Sequence, residues 1–400
     1  MIQTLEERLA RYPLERYPVQ HATAQFHLGV ALTNQGRPLE AESALRAAAV
    51  VFSDRLPVEY GKTMNALGAV LRMQGRLRDS VDAFRTAGSL FAIAKLRPEE
   101  GAARYNLGLA QRDAGNVAAA ITAFREASDL FGDDNPRSRA AAMRELGVAQ
   151  LQAGDIEGAI GTLTQARDAA ESLGDQPGLG SAANALGLAH LAAGSPRDAI
   201  TAFRLSAAAN PRSVRPAEYA MAKANLALAF EAIGDQSRAL LAAGQAAVVT
   251  SASPPVVGQA RELRARGGAR PGTLLAVLEH EPLESWPGVV REELARWIDL
   301  DDASRREELA AWTGALLTSP RESDLAETWL GAVLELTLQA AEEIVRDQLR
   351  VWAEQAPDAR SIVQQRLGSA MARFHVPQWE RLKDLFNRMA LEQGQAGSWT

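Results

Sequence analysis

The chain contains no cysteine, which excludes disulfides, a thiol nucleophile and any zinc site built on sulfur. Histidine is scarce: five residues at positions 21, 27, 190, 280 and 375, none at ligand spacing from another. Lysine is scarcer, four against 39 arginines, which together with abundant alanine suggests a GC-rich bacterial genome. Aromatic residues make up 6%, and all seven tryptophans lie beyond residue 270. No run of about 18 apolar residues occurs, so no membrane span is expected. The opening MIQTLEERLARYP is charged and lacks the apolar centre of a secretory signal, which points to a cytoplasmic protein. Net charge is −6, unevenly divided: residues 271–400 carry −9 and residues 1–270 carry +3. A weak +3 without a concentrated basic face argues against nucleic acid as a partner.

A repeat fills most of the first two thirds. Leu28, Leu67, Leu107, Leu146, Leu186 and Leu226 are separated by 39, 40, 39, 40 and 40 residues, and each is followed by glycine or alanine. Eight residues after each comes a glycine, Gly36, Gly75, Gly115, Gly154, Gly194 and Gly234. Thirteen after each is a small residue, for example Ser80 and Ala120; seventeen after, a bulky one such as Phe84, Phe124 or Phe203, with Ala243 the exception. This spacing predicts helical hairpins. The leucine sits on a first helix that the glycine ends in a left-handed cap. The second helix then carries its small, large and small residues on one face. One hairpin cannot bury such a face, so the hairpins should stack.

The motif L-G-x6-G-x4-A-[IV]-x2-F-x2-A resembles the tetratricopeptide repeat, with a period longer than the usual 34 residues and similar to the repeats of kinesin light chains. The resemblance implies an all-α right-handed solenoid of six repeats whose first helices line a concave, ligand-binding surface. Carried onto this sequence, the lining positions are Lys62, Asn65 and Arg72 in the second repeat, Tyr105 and Arg112 in the third, Arg144 in the fourth, and Asn184 and Leu188 in the fifth. Arginine's planar fork suits carboxylates, and an asparagine amide can hold a peptide backbone. The expected ligand is a protein or peptide segment, acidic or carboxylate-bearing; the bland reading of the same side chains is a solvated polar face.

The expected domain layout is a lead-in at 1–19, six repeats and a capping helix at 20–266, a Gly/Pro-rich hinge at 267–273, a tryptophan-bearing helical bundle at 274–393 and a disordered tail at 394–400. In the bundle, Asp324 to Glu354 reads as a single helix with a buried centre. REELARW at 291–297 and REELAAW at 306–312 echo each other and read as similar surface helices. The bundle resembles no known family, and it leaves homo-oligomer formation open.

No catalytic constellation is evident. His280, Glu281 and Glu284 lack a second histidine, and Pro282 breaks the helix that would join them, so no metal is expected. Glu342-Glu343 pairs best with Arg346 on the same helix, and Glu335 in an apolar run reads as a pKa-shifted acid or as one half of an arginine pair. The expected function is a non-catalytic adaptor or scaffold without cofactor. Two alternatives stay open: a peptide-sensing regulator with its output in 270–393, and an enzyme or enzyme subunit with its site in that bundle.

Overall fold

The computed structural model describes residues 2–395 and 399, and they fall into two compact units, residues 1–195 and 196–400. Among the described residues there is no strand. The first unit contains α1 (Ile2–Arg11), α2 (Pro18–Asn34), α3 (Pro38–Phe52), α4 (Pro57–Met73), α5 (Leu77–Ile93), α6 (Arg97–Asp113), α7 (Val117–Phe131), α8 (Pro136–Gln152), α9 (Ile156–Ser172) and α10 (Gln176–Ala192). The second contains α11 (Pro196–Ala209), α12 (Pro216–Ala232), α13 (Gln236–Ala247), α14 (Pro254–Arg266), α15 (Thr273–Leu278), α16 (Trp286–Ile298), α17 (Asp302–Thr318), α18 (Glu322–Glu335), α19 (Leu338–Ala353), α20 (Pro357–Met371) and α21 (Val376–Glu392).

The repeat phase is realised residue by residue. Prolines open α2, α3, α4, α8 and α12 at the first turn, where a missing N–H costs nothing. The six glycines have φ of +70°, +74°, +79°, +84°, +70° and +79°. At each one the chain reverses; at Gly115, for example, its own N–H reaches Arg112 O at 2.9 Å and the next N–H, of Asn116, reaches Gln111 O at 2.8 Å. A Cβ on Gly115 would meet no atom within 4 Å, so the cost of Gly115→Ala is conformational alone, about 1–2 kcal/mol. A thermal midpoint equal to that of the parent chain would contradict the left-handed cap.

Small residues set the spacing of helices within a hairpin. A Cβ on Gly68 would lie 2.7 Å from the Phe84 ring, and one on Gly108 would lie 2.6 Å from the Phe124 ring. Ser80, buried at the equivalent small position, donates to Gly68 O at 2.7 Å across the hairpin. Phe124 packs with Ala120, Leu146 and Ala149, so each large residue also joins its hairpin to the next.

The second unit begins inside the fifth repeat, at Pro196, and not at the expected hinge. Leu241 of α13 belongs to the same apolar cluster as Trp286, Trp297, Trp312 and Trp329. Residues 267–273 lie inside this unit, and Gly272 N donates to Glu308 at 2.9 Å. The physical reason is a buried ionic cluster. Arg296, 3% exposed, donates through Nε to Glu293 at 2.8 Å and through Nη2 to Glu308 at 2.6 Å. The other Glu293 oxygen accepts from Gln245 of α13 at 3.0 Å. Burial pushes the Glu293 carboxyl up from the ordinary value, against the pull of Arg296; burial lowers Arg296, but the two carboxylates outweigh it and hold the guanidinium above its usual range. Gly244 lies against the arginine of this cluster: a Cβ there would sit 3.4 Å from Arg296 Cδ and 2.4 Å from Nη1 of the neighbouring Arg264.

The echoing segments are therefore not surface helices. Glu293, Leu294 and Trp297 match Glu308, Leu309 and Trp312, all six are buried, and the two glutamates converge on Arg296. The single helix expected from Asp324 to Glu354 is also two. Leu336 and Thr337 are extended, and Thr337 Oγ1 caps α19 by accepting from Ala340 N. In the tail, Trp399 is 7% exposed and packs against Trp352 and Phe386, so that residue is ordered. Gln395 donates to Leu349 O; residues 396–398 and 400, expected to be disordered, lie outside the described residues.

Candidate functional site

The first helices of the hairpins, α2, α4, α6, α8 and α10, carry the residues assigned to the lining surface. The structure brings most of these side chains into contact with partners on the same or the next first helix. Arg72 of α4 donates to Asp113 of α6 at 2.7 Å. Arg112 of α6 donates to Glu145 of α8, and Arg144 reaches the other oxygen of the same carboxylate at 2.7 Å. Glu145 thus bridges two arginines and is itself largely buried. The three cations expected to face an acidic ligand each hold an internal carboxylate.

The amides behave in the same way. Asn65 Oδ1 accepts from Asn106 Nδ2 at 3.1 Å, from α6 to α4. Lys62 pairs with Glu59 one turn earlier at 2.8 Å, with both side chains near 40% exposed, which leaves it accessible. Tyr105 is half-buried with its ring edge-on to Phe124, centroids 5.8 Å apart. Burial pushes its phenol up, and the Glu145 charge adds to that. Leu188 is 37% exposed on α10, the same helix that carries Asn184.

Sequence reasoning missed Glu145, which like Asn106 occupies the position just before the repeat leucine; Asn65 and Asn106 also read as amides that cap or bridge helices. A signal existed. Arg72 and Asp113, like Asn65 and Asn106, are 41 residues apart, one repeat plus one residue. That offset places side chains of adjacent first helices at the same level. Position-by-position comparison of equivalent residues could not reveal it, because it pairs non-equivalent ones.

The other candidates resolve into ion pairs. Glu335 pairs with Arg291 at 2.8 Å. Glu342 pairs with Arg388 of α21 at 2.9 Å, and Arg346 with Glu392, so the expected pair along α19 gives way to two pairs between helices. Glu281 is held by Arg238 at 2.8 Å and His280 Nδ1 lies 3.1 Å from Ala276 O. Among the described residues no group of three histidine, cysteine or acidic side chains could hold a metal ion. No described helix is long and apolar enough to cross a membrane.

The tetratricopeptide repeat family matches residues 65–135 and 184–255. No curated protein matches the chain. Among solved structures, BtubC from P. vanneervenii is 20% identical over 52% of this chain and 91% of its own, with a TM-score of 0.46. PilF of Pseudomonas aeruginosa is 16% identical over 61% of this chain and 97% of its own, with a TM-score of 0.46. The apo form of the quorum sensor NprR from B. thuringiensis is 14% identical over 92% of this chain and 88% of its own, with a TM-score of 0.44. At these scores the likenesses carry no functional argument.

Proposed function

We propose that this chain, whose repeats belong to the tetratricopeptide repeat family, is a non-catalytic adaptor that binds a protein or peptide segment along the first-helix face of residues 18–192. The observation that carries the reading is the run of arginine–carboxylate and amide–amide contacts linking α4, α6 and α8, partly exposed at Arg72–Asp113 and largely buried around Glu145. The Arg72–Asp113 pair, partly exposed on both sides, is weak enough to be exchanged, since an exposed ion pair contributes about 0–1 kcal/mol. An acidic segment would replace Asp113 and Glu145 as the partner of Arg72, Arg112 and Arg144, and its main chain would exchange with the Asn65–Asn106 amide pair. Lys62 and Tyr105 would flank it, and Asn184 and Leu188 would take its less polar end.

This exchange makes two substitutions move affinity in opposite directions. Glu145→Gln releases two arginines at once and should tighten binding of a partner recovered from the source cell. Arg112→Glu should weaken it at least tenfold, and raising salt should weaken it further because these pairs are screened over roughly 8–10 Å. Binding measured by calorimetry that is unchanged by both substitutions and by salt would remove the acidic ligand from consideration.

A further inference from the structure

The second unit holds a cavity of about 220 Å³ that is separate from the first-helix face described above. Its walls differ in charge. Helices α11 to α13 contribute Arg204, Lys223 and Arg238; the segment after α15 and helix α16 contribute Glu281 and Glu292. Between them lies an apolar floor that includes Phe230, Leu241 and Val277.

Four of the five charges are already committed. Lys223, 7% exposed, donates to Glu292 at 2.7 Å with its ammonium 5.3 Å from the Tyr219 ring centroid. Arg238 is held between Glu281, at 2.8 Å, and Asp235 outside the cavity. Arg204 is different. Its guanidinium lies over the Phe230 ring, 5.6 Å from the centroid, and among the described residues it has no carboxylate partner. It is exposed at the mouth of the cavity.

From this arrangement we infer that the cavity binds a small carboxylate with a branched aliphatic body. The carboxylate pairs with the Arg204 fork, which suits its planar geometry, and the body lies on Phe230, Leu241 and Val277. A second negative charge is disfavoured, because the remaining cations are matched by Glu281 and Glu292. A positive charge on the ligand would find those carboxylates already neutralised. The volume is below the roughly 300–1,000 Å³ of sites for drug-sized ligands, which limits the body to about one side chain. The same chemistry is offered by a free aliphatic acid and by the last residue of a polypeptide.

Calorimetric titration of the full chain tests this with three probes: 4-methylpentanoate, N-acetyl-leucine and N-acetyl-leucinamide. At least one of the two acids should bind, and the amide, lacking the carboxylate, should be at least tenfold weaker. N-acetyl-leucine as the tighter probe identifies a chain terminus; 4-methylpentanoate as the tighter one identifies a free acid. Arg204→Gln should lose at least tenfold in affinity, and Arg197→Gln, an exposed arginine on the same helix, should lose nothing. Ala208→Phe, an exposed position at the cavity lining, should block binding without altering any charge; tryptophan fluorescence checks that each variant is folded. Absence of binding by both acids, equal binding of the amide, or full affinity in Arg204→Gln would overturn the inference. None of these outcomes depends on whether Arg112 or Glu145 contacts a partner.

Discussion

Arg296→Ala is expected to destabilise the second unit by about 3–5 kcal/mol, the cost of leaving buried charges without their partner. Two carboxylates, Glu293 and Glu308, would lose the guanidinium that bridges them, at a site from which water is excluded. Their remaining contacts, with Gln245 Nε2 and Gly272 N, are single hydrogen bonds from neutral donors. The measurement is urea unfolding followed by tryptophan fluorescence, since all seven tryptophans belong to this unit and the signal reports it selectively. Adding Glu293→Gln and Glu308→Gln to Arg296→Met removes the stranded charges and should recover part of the loss. An unfolding midpoint for Arg296→Ala equal to that of the parent would mean that the cluster is open to water and that α13 is not tied to α16 and α17 through it.

Phe124→Ala should cost the first unit about 3–5 kcal/mol, the transfer of a buried ring plus the cavity it leaves. Phe124 is fully buried, touches Leu146 and Ala149 of the next hairpin, and fills the space beside Gly108. Collapse of that space is resisted on both sides. The helix carrying Gly108 is fixed by its own packing, and Tyr105 closes the edge of the ring. Unfolding of this variant is followed by far-ultraviolet circular dichroism. A change within about 0.5 kcal/mol, the range of ordinary surface substitutions, would show that the large residue of the repeat does not face the neighbouring hairpin.

The two variants probe features of different legibility. The position of Phe124 follows from sequence spacing: the small–large–small pattern of the second helix and the glycine of the first recur every 39 or 40 residues. The role of Arg296 does not. In REELARW an arginine three residues after a glutamate reads as a solvated helix face, and it is buried because Glu308, 12 residues on, meets it in space while Gln245, 48 residues before Glu293, holds that glutamate. The same limit applies to the candidate binding face. Lys62, Asn65, Arg72, Tyr105, Arg112 and Arg144 are lining positions carried over from the repeat resemblance, but the pairing of Arg72, Arg112 and Asn65 with Asp113, Glu145 and Asn106 depends on how far one hairpin is displaced along the next.

Local chemistry determined the hairpins: a glycine that can adopt positive φ, a proline at a first helical turn, and apolar residues at helical spacing act within a few residues of chain. It would also have determined the break at Leu336–Thr337, since Thr337 caps α19, had the apolar run around it not masked the cap. Only the tertiary structure decided which charges are free. Arg72, Arg112 and Arg144 are occupied by carboxylates from the same or a neighbouring helix, whereas Arg204 lies over the face of Phe230 and has no carboxylate partner among the described residues. It also decided that the glycines of 267–273 lie within the second unit. A glycine-rich stretch reports local freedom of the backbone. Burial runs across that stretch here: Leu241 and Gln245 continue the core of the tryptophan-bearing helices back into the last repeat.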